Sequence, residues 1–215
     1  MEDILQKFIR LVETENQKHN LVSRRTTHGE LWQHIEDSRQ VLAWEQLGGL
    51  KLVDIGSGAG FPGLVLAICC PASQVTLVES DLKKSSFLIQ ASKELELDNV
   101  EVIRDRAESL GRDPRYRQQF DVCSSRAVAS MRIMLEYALP LLKINGAAWL
   151  WKGSNYQQEI DEAQSALGTL GGTLEKVYRY SLIGEQDRSI VVVRKTAATP
   201  AEYPRRIGLP AKKPL

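Results

Sequence analysis

The stretch LVDIGSGAGFPG, residues 52–63, limits what this chain can fold into more than any other. Gly56, Gly58, Gly60 and Gly63 follow directly on an apolar run, and Asp54 stands just before them. Glycine reaches backbone conformations closed to other residues and leaves room for a ligand to approach the main chain. A strand that breaks into such a loop and then enters the helix-patterned segment 62–70 is the opening unit of an α/β domain. The ligand of such a unit lies at the carboxyl end of the strand.

The remaining pattern repeats this unit. Short apolar runs at 51–55, 75–79, 100–104, 120–124, 147–151, 174–180 and 189–194 predict seven strands. Helical spacing over 62–70, 82–95, 131–142 and 156–167 fills most of the gaps. The expected fold is therefore a Rossmann-like, mostly parallel seven-stranded sheet with helices on both faces. Only the loop 181–188 separates the last two runs, which predicts a hairpin and an antiparallel last strand. Ahead of the sheet, Ile4, Leu5, Phe8, Ile9, Leu11 and Val12 recur at helical spacing. A second helix, carrying Leu31, Ile35, Val41 and Leu42, follows the break at Thr26-Thr27-His28-Gly29. The chain divides into a helical extension (1–48), the ligand-binding domain (49–196) and a basic tail (197–215).

At 215 residues, 43% hydrophobic and 26% charged, the chain is long enough for one sizeable core. No apolar run approaches the ~20 residues that span a bilayer, and the start Met1-Glu-Asp is unlike a signal peptide, so a cytoplasmic protein without a membrane partner is expected. Cys69, Cys70 and Cys123 have neither disulfide nor metal-ligand spacing, and no metal site is expected. From residue 194 onward six basic residues face the single acid Glu202. Arg205, Arg206, Lys212 and Lys213 of this ending are candidates for phosphate contact. The glycine loop lies far from this ending in the sequence, so ligand binding at the loop is expected not to depend on the tail.

Gly58-Ala-Gly60-Phe-Pro-Gly63 matches the dinucleotide pattern G-x-G-x-x-G in letters. A pyrophosphate over the loop would, however, lie against the Asp54 carboxylate. S-adenosylmethionine reverses the sign, because its sulfonium and ammonium are attracted by an acid before the glycines. Glu79, at the end of the second run, falls where a carboxylate binds an adenosine ribose in either cofactor class. Ala107 and Glu108, after the third run, fall where adenine would lie. Arg126, past the fourth run, faces the cleft and is the candidate catalytic residue.

The acceptor chemistry is narrowed by what is absent. The fourth run reads Asp121-Val-Cys-Ser-Ser-Arg126, without the Asn/Asp-Pro-Pro-aromatic turn that holds an exocyclic amine. No Pro-Cys nucleophile for pyrimidine C5 is present, Cys70-Pro71 being the reverse. A purine N7 carries an in-plane lone pair and can be methylated by alignment alone, with no general base.

Taken together, Asn20-Leu-Val-Ser, His34-Ile-Glu-Asp-Ser38, the loop from Asp54 to Gly63, Ser125-Arg-Ala-Val128, Lys152-Gly153 and the ending from Tyr203-Pro-Arg-Arg to Leu215 closely resemble the RsmG/GidB family. These are methyltransferases of a guanine N7 in bacterial small-subunit ribosomal RNA. The resemblance implies a class I methyltransferase fold, S-adenosylmethionine as cofactor and a guanine in the 530-loop of 16S rRNA, or of the small ribosomal subunit, as acceptor. It carries donor contacts to Gly56, Phe61, Ala107, Glu108 and Arg126, beside Asp54, Gly58 and Glu79 from the loop argument. Arg24, Arg25 and Lys152 join the tail as candidate RNA contacts, and the protein is expected to be monomeric. His34 and Asp37, three apart on one helix face, are read as structural. The chain departs from the family at Glu15-Asn16, where many relatives have Trp-Asn, and in its short N-terminal extension. Two alternatives stay open at this point, an NAD-dependent oxidoreductase and a non-catalytic module that binds RNA or senses S-adenosylmethionine.

Overall fold

The computed structural model describes residues 1–182 and 186–215. Helices α1 (Glu2–Asn16) and α2 (His28–Arg39) precede the sheet. Thr27 and Glu30 form a reciprocal capping box at the start of α2. The expected break thus supplies the helix start, with His28 and Gly29 in its first turn, while Val41 and Leu42 fall in a separate 3-10 turn, Gln40–Ala43.

The main domain then runs β1 (Lys51–Ile55), α3 (Gly63–Cys69), β2 (Gln74–Val78), α4 (Leu82–Glu94), β3 (Val100–Ile103), α5 (Ala107–Arg112) and β4 (Phe120–Arg126). It continues through α6 (Met131–Ala138), β5 (Leu142–Lys152), α7 (Tyr156–Glu162), α8 (Gln164–Leu170), β6 (Gly172–Leu182), β7 (Gln186–Lys195) and the short α9 (Leu209–Lys212). The strand order is β3-β2-β1-β4-β5-β7-β6, parallel except for β7, which pairs antiparallel with both neighbours. All seven expected strands are present, and the last is antiparallel as expected.

Burial explains why β7 takes the inner place. Ile190, Val191, Val192 and Val193 are all fully buried, the continuous apolar run of a strand covered on both faces. β6 alternates partly buried with exposed residues and forms the edge.

Several boundaries differ from the sequence reading. The helix expected over 131–142 ends at Ala138, because Pro140 has no amide to continue it. The single helix expected over 156–167 is two short ones meeting at Ala163. Much of the expected loop 181–188 belongs to the hairpin, since Ser181 pairs with Asp187 and Leu182 with Gln186. Residues 183–185 of that loop lie outside the described residues.

The sheet sorts its side chains by alternation. Leu52, Leu77, Trp149, Trp151, Ile190 and Val192 face one way, onto α1, α2, α3 and α4. Val53, Ile55, Cys123, Leu150, Val191 and Val193 face the other, onto α6 and α8. The N-terminal helices therefore complete one face, with Leu5, Phe8, Ile9, Val12, Leu31 and Ile35 buried in the same cluster as the strands. The basic ending also packs, and Thr199, Pro204 and Pro210 are buried. No helix among the described residues is long and apolar enough to cross a membrane.

Two glycines test this packing in opposite directions. A Cβ at Gly63 would stand 2.5 Å from Leu77 Cδ2 and 2.6 Å from Asp54 Oδ2, whereas one at Gly168, inside α8, meets nothing within 4 Å. Urea denaturation is expected to show Gly63→Ala losing about 1–3 kcal/mol and Gly168→Ala gaining up to about 1 kcal/mol. A neutral Gly63→Ala would contradict the packing beneath the loop.

Candidate active site

The glycine loop turns at the carboxyl end of β1 with positive φ at Gly56 (69°), Gly58 (56°) and Gly60 (99°). Asp54 lies beneath this loop and exposes no surface. Ser124 donates to its Oδ1 at 2.6 Å, while Oδ2 has no hydrogen-bond partner of good geometry and sits beside the Gly63 amide. Burial raises its pKa to about 6, against the pull of Ser124 and the loop. The direct contact expected between this carboxylate and a bound donor is thus corrected. Asp54 sits one layer below, hidden by the loop that it underpins.

Glu79, by contrast, is buried but reaches a cavity lining. Its two oxygens accept the amides of Gly58 at 2.9 Å and Asp81 at 2.8 Å, tying the loop to the start of α4. A carboxylate offers about four lone-pair directions, so each oxygen retains capacity for a further donor. Glu79, Gly56, Ala107 and Glu108 all line a cavity of about 220 Å³ at the carboxyl ends of β1, β2 and β3. Val128, Ala129, Ile133 and Tyr137 close its other side, and Ala211 from the C-terminal segment completes it. The tail therefore reaches the cavity, contrary to the expectation that it stands clear of it. Glu108 accepts the Gly208 amide at 2.9 Å, and burial together with Glu108 pushes the Tyr137 hydroxyl up to about 12.

A second cavity of about 220 Å³ lies alongside, lined by Asp37, Arg126, Trp151, Lys152, Glu159 and Arg188 among others. Ala129 belongs to both linings. Arg126 donates to Asp37 at 2.6 Å, and its guanidinium stands 5.3 Å from the centre of the Phe61 ring. Tyr180 donates to the other oxygen of Asp37 at 2.6 Å, and the Trp151 indole to the Asp37 carbonyl at 2.8 Å. Phe61 is buried among Phe8, His34 and Arg126, with ring centres 5.2 Å from Phe8 and 5.4 Å from His34. The geometry thus brings Gly56, Glu79, Ala107 and Glu108 together at one cavity and Arg126 and Lys152 at the other. Asp54, Gly58 and Phe61 form the support between them.

The candidate RNA contacts separate into two kinds. Arg24, Arg25, Arg206, Lys212 and Lys213 are exposed. Lys152 instead donates to the Ala129 carbonyl at 3.0 Å and to Glu159 at 2.7 Å. Arg205 grips the fully buried Glu136 with two nitrogens, at 2.9 and 2.6 Å. The residues that sequence reasoning missed are Val128, Ala129, Ile133, Tyr137, Glu159 and Ala211. Glu159 and Ala211 carry no motif, and only the folded chain shows their place.

A family model described as rRNA small subunit methyltransferase G matches residues 1–191. The chain belongs to this family. Of the curated relatives, a ribosomal RNA small subunit methyltransferase G of Syntrophomonas wolfei is 53% identical over all of both chains. Another so named, from Carboxydothermus hydrogenoformans, is 43% identical over 99% of this chain and 91% of its own. Among solved structures, M. jannaschii TYW2 in complex with AdoMet superposes with a TM-score of 0.60 at 16% identity, covering 76% of each chain. The [4+2]-cyclase SpnF gives 0.61 at 14% identity, covering 82% of this chain and 85% of its own. At such identities these two show the fold alone, which is the class I methyltransferase architecture expected from the strand pattern. Membership decides for a methyltransferase over the nicotinamide oxidoreductase.

His34 offers a test of the geometry. Burial first and the nearby Arg126 second lower its pKa from 6.5 to about 4, outweighing the pull of Asp37. The unfolded chain therefore binds this proton first, so the contribution of His34 to stability is lost as pH falls from 6.5 towards 4. Asp54, raised from 3.8 to about 6, works in the opposite sense over much of the same window, so a melting curve blends the two. The His34 ring resonances, followed by NMR, are expected to stay constant from pH 7 to about 5. A midpoint at or above 6.5 would show that His34 is not packed against Phe61 and Arg126.

Proposed function

We propose that this chain transfers the methyl group of S-adenosylmethionine to N7 of a guanine in the 530-loop of 16S rRNA. The observation that carries this reading is the pair of adjoining cavities with Ala129 as their common wall. The cavity at Gly56, Glu79 and Ala107 takes the donor, and the one at Asp37, Arg126 and Glu159 takes the acceptor base.

The residues present suit the donor. The positive-φ glycines keep the loop low, and Glu79 has lone pairs left for ribose hydroxyls. Asp54, with a pKa of about 6, is mostly ionised at neutral pH and places a negative charge under the loop without touching the ligand. When bound, S-adenosylmethionine supplies an electrophilic methyl group on a positively charged sulfur.

On the acceptor side, the cavity is lined by two ion pairs, Asp37 with Arg126 and Glu159 with Lys152. Asp37 and Glu159 suit the N1–H and exocyclic amine of guanine, and Arg126 and Lys152 suit O6. N7 attacks with its in-plane lone pair, so the protein has to hold the base in line rather than remove a proton. Arg126, fixed by Asp37 below and Phe61 beside it, is placed to orient the base at the boundary. The exposed Arg24, Arg25, Arg206, Lys212 and Lys213 are the cations available to the RNA backbone. S. wolfei and C. hydrogenoformans relatives carry names that point to the same RNA class.

The test supplies radiolabelled S-adenosylmethionine together with small subunits and, separately, naked 16S rRNA from cells lacking the modification. Label is expected in 16S rRNA at one guanine that borohydride and aniline cleave, the signature of N7-methylguanosine. Label on an exocyclic amine, in protein or nowhere would contradict the reading. In a separate calorimetric titration Glu79→Ala is expected to weaken S-adenosylhomocysteine binding by about 1.5–3 kcal/mol, the range for hydrogen bonds to a charged acceptor.

A further inference from the structure

The chain's ending, which its charges alone mark for RNA, is held against the donor cavity by contacts that leave it little freedom. Arg117 donates to the carbonyls of Tyr203 at 2.6 Å, Thr199 at 2.9 Å and Pro200 at 3.1 Å. Arg112 donates to the Pro204 carbonyl at 2.6 Å. Glu136, fully buried on α6, accepts both the side chain and the backbone amide of Arg205, the latter at 2.7 Å. Gly208, at φ +77°, then turns its amide onto Glu108. Three residues later Ala211 lines the cavity.

These contacts give the ending an address within the cavity. With Glu79 at the ribose, the base of the donor lies further toward the end of β3, where residues 105–108 follow the strand. Glu108, 4% exposed, already spends one oxygen on Gly208 and stands beside the Tyr137 hydroxyl. We propose that residues 203–213 form the adenine-side wall of the donor cavity, with Ala211 setting the room for the base and Glu108 positioning the wall through Gly208. The inference rests on the donor reading of this cavity. It replaces the expected direct contact of the Glu108 carboxylate with the donor by an indirect one.

The wall is tested by calorimetric titration of the full chain with S-adenosylhomocysteine. Ala211 is an exposed residue, so bulk there is compatible with folding. Ala211→Trp is expected to weaken binding roughly tenfold or more, about 1.4 kcal/mol, with the melting temperature of the unliganded protein unchanged. Hydrogen exchange on the native chain provides the second readout, and saturating S-adenosylhomocysteine is expected to slow the amides of residues 206–213. If Glu79→Ala weakens binding while Ala211→Trp binds normally and exchange is unaffected, the donor reading stands and the wall is refuted. If neither variant alters binding, the cavity is not the donor site and both readings fail.

Discussion

A carboxylate and a guanidinium 89 positions apart in the sequence meet at 2.6 Å in the wall of a cavity, and the candidate site is arranged around them. Asp37 belongs to the N-terminal helices and Arg126 to the last residue of β4. Both side chains are largely buried, 5% and 16% exposed. A buried pair of this kind gains little over well-packed apolar residues, but removing one partner leaves a charge without compensation, at a cost of about 3–5 kcal/mol. What the pair supplies is a fixed geometry. Tyr180 donates to the Asp37 carboxylate and Trp151 to its backbone carbonyl, so an edge strand, an inner strand, β4 and the N-terminal layer converge on one residue.

The segment between Arg126 and α6 inherits that rigidity and separates the two cavities. Ala127 has φ +57°, a conformation that a non-glycine residue holds only when its surroundings enforce it. Here Arg126 is fixed on one side, and on the other Glu159 accepts both the Met131 amide and Lys152, which also holds the Ala129 carbonyl. Val128 is thereby pressed onto the glycine loop, so close that a Cβ on Gly56 would stand 2.5 Å from Val128 Cγ2. Gly56 is thus required by its neighbour across the cleft.

The parts of this arrangement that could be read from the sequence are those governed by local rules. Alternating runs and intervening helical periodicity locate seven strands, and the unbroken Ile190–Val193 stretch marks a strand covered on both faces. The loop glycines and Glu79 fall at strand ends, where the fold places its ligand. The remainder depends on long-range packing. Asp54 reads as a ligand contact because its depth below the loop is invisible in one dimension. Arg205 and Lys152 read as RNA contacts because their partners, Glu136 and Glu159, are distant or carry no motif. The C-terminal segment reads as a charged tail because composition records its lysines and arginines. The carbonyls that Arg112 and Arg117 hold are not visible there.

A crystal structure of the chain soaked with S-adenosylhomocysteine tests the central claim most directly. A larger cavity of about 360 Å³ opens at the other end of the strands, lined by Gln74, Asn99, Arg115 and Tyr116 among others, and it competes for a small ligand on size alone. The account predicts density in the carboxyl-end cavity, with ribose hydroxyls on Glu79, the base between Ala107 and Ala211, and the sulfur directed past Ala129 toward Arg126. The Asp37–Arg126 pair should be unmoved. Ligand in the amino-end cavity, or a donor whose sulfur points away from Arg126, would contradict it.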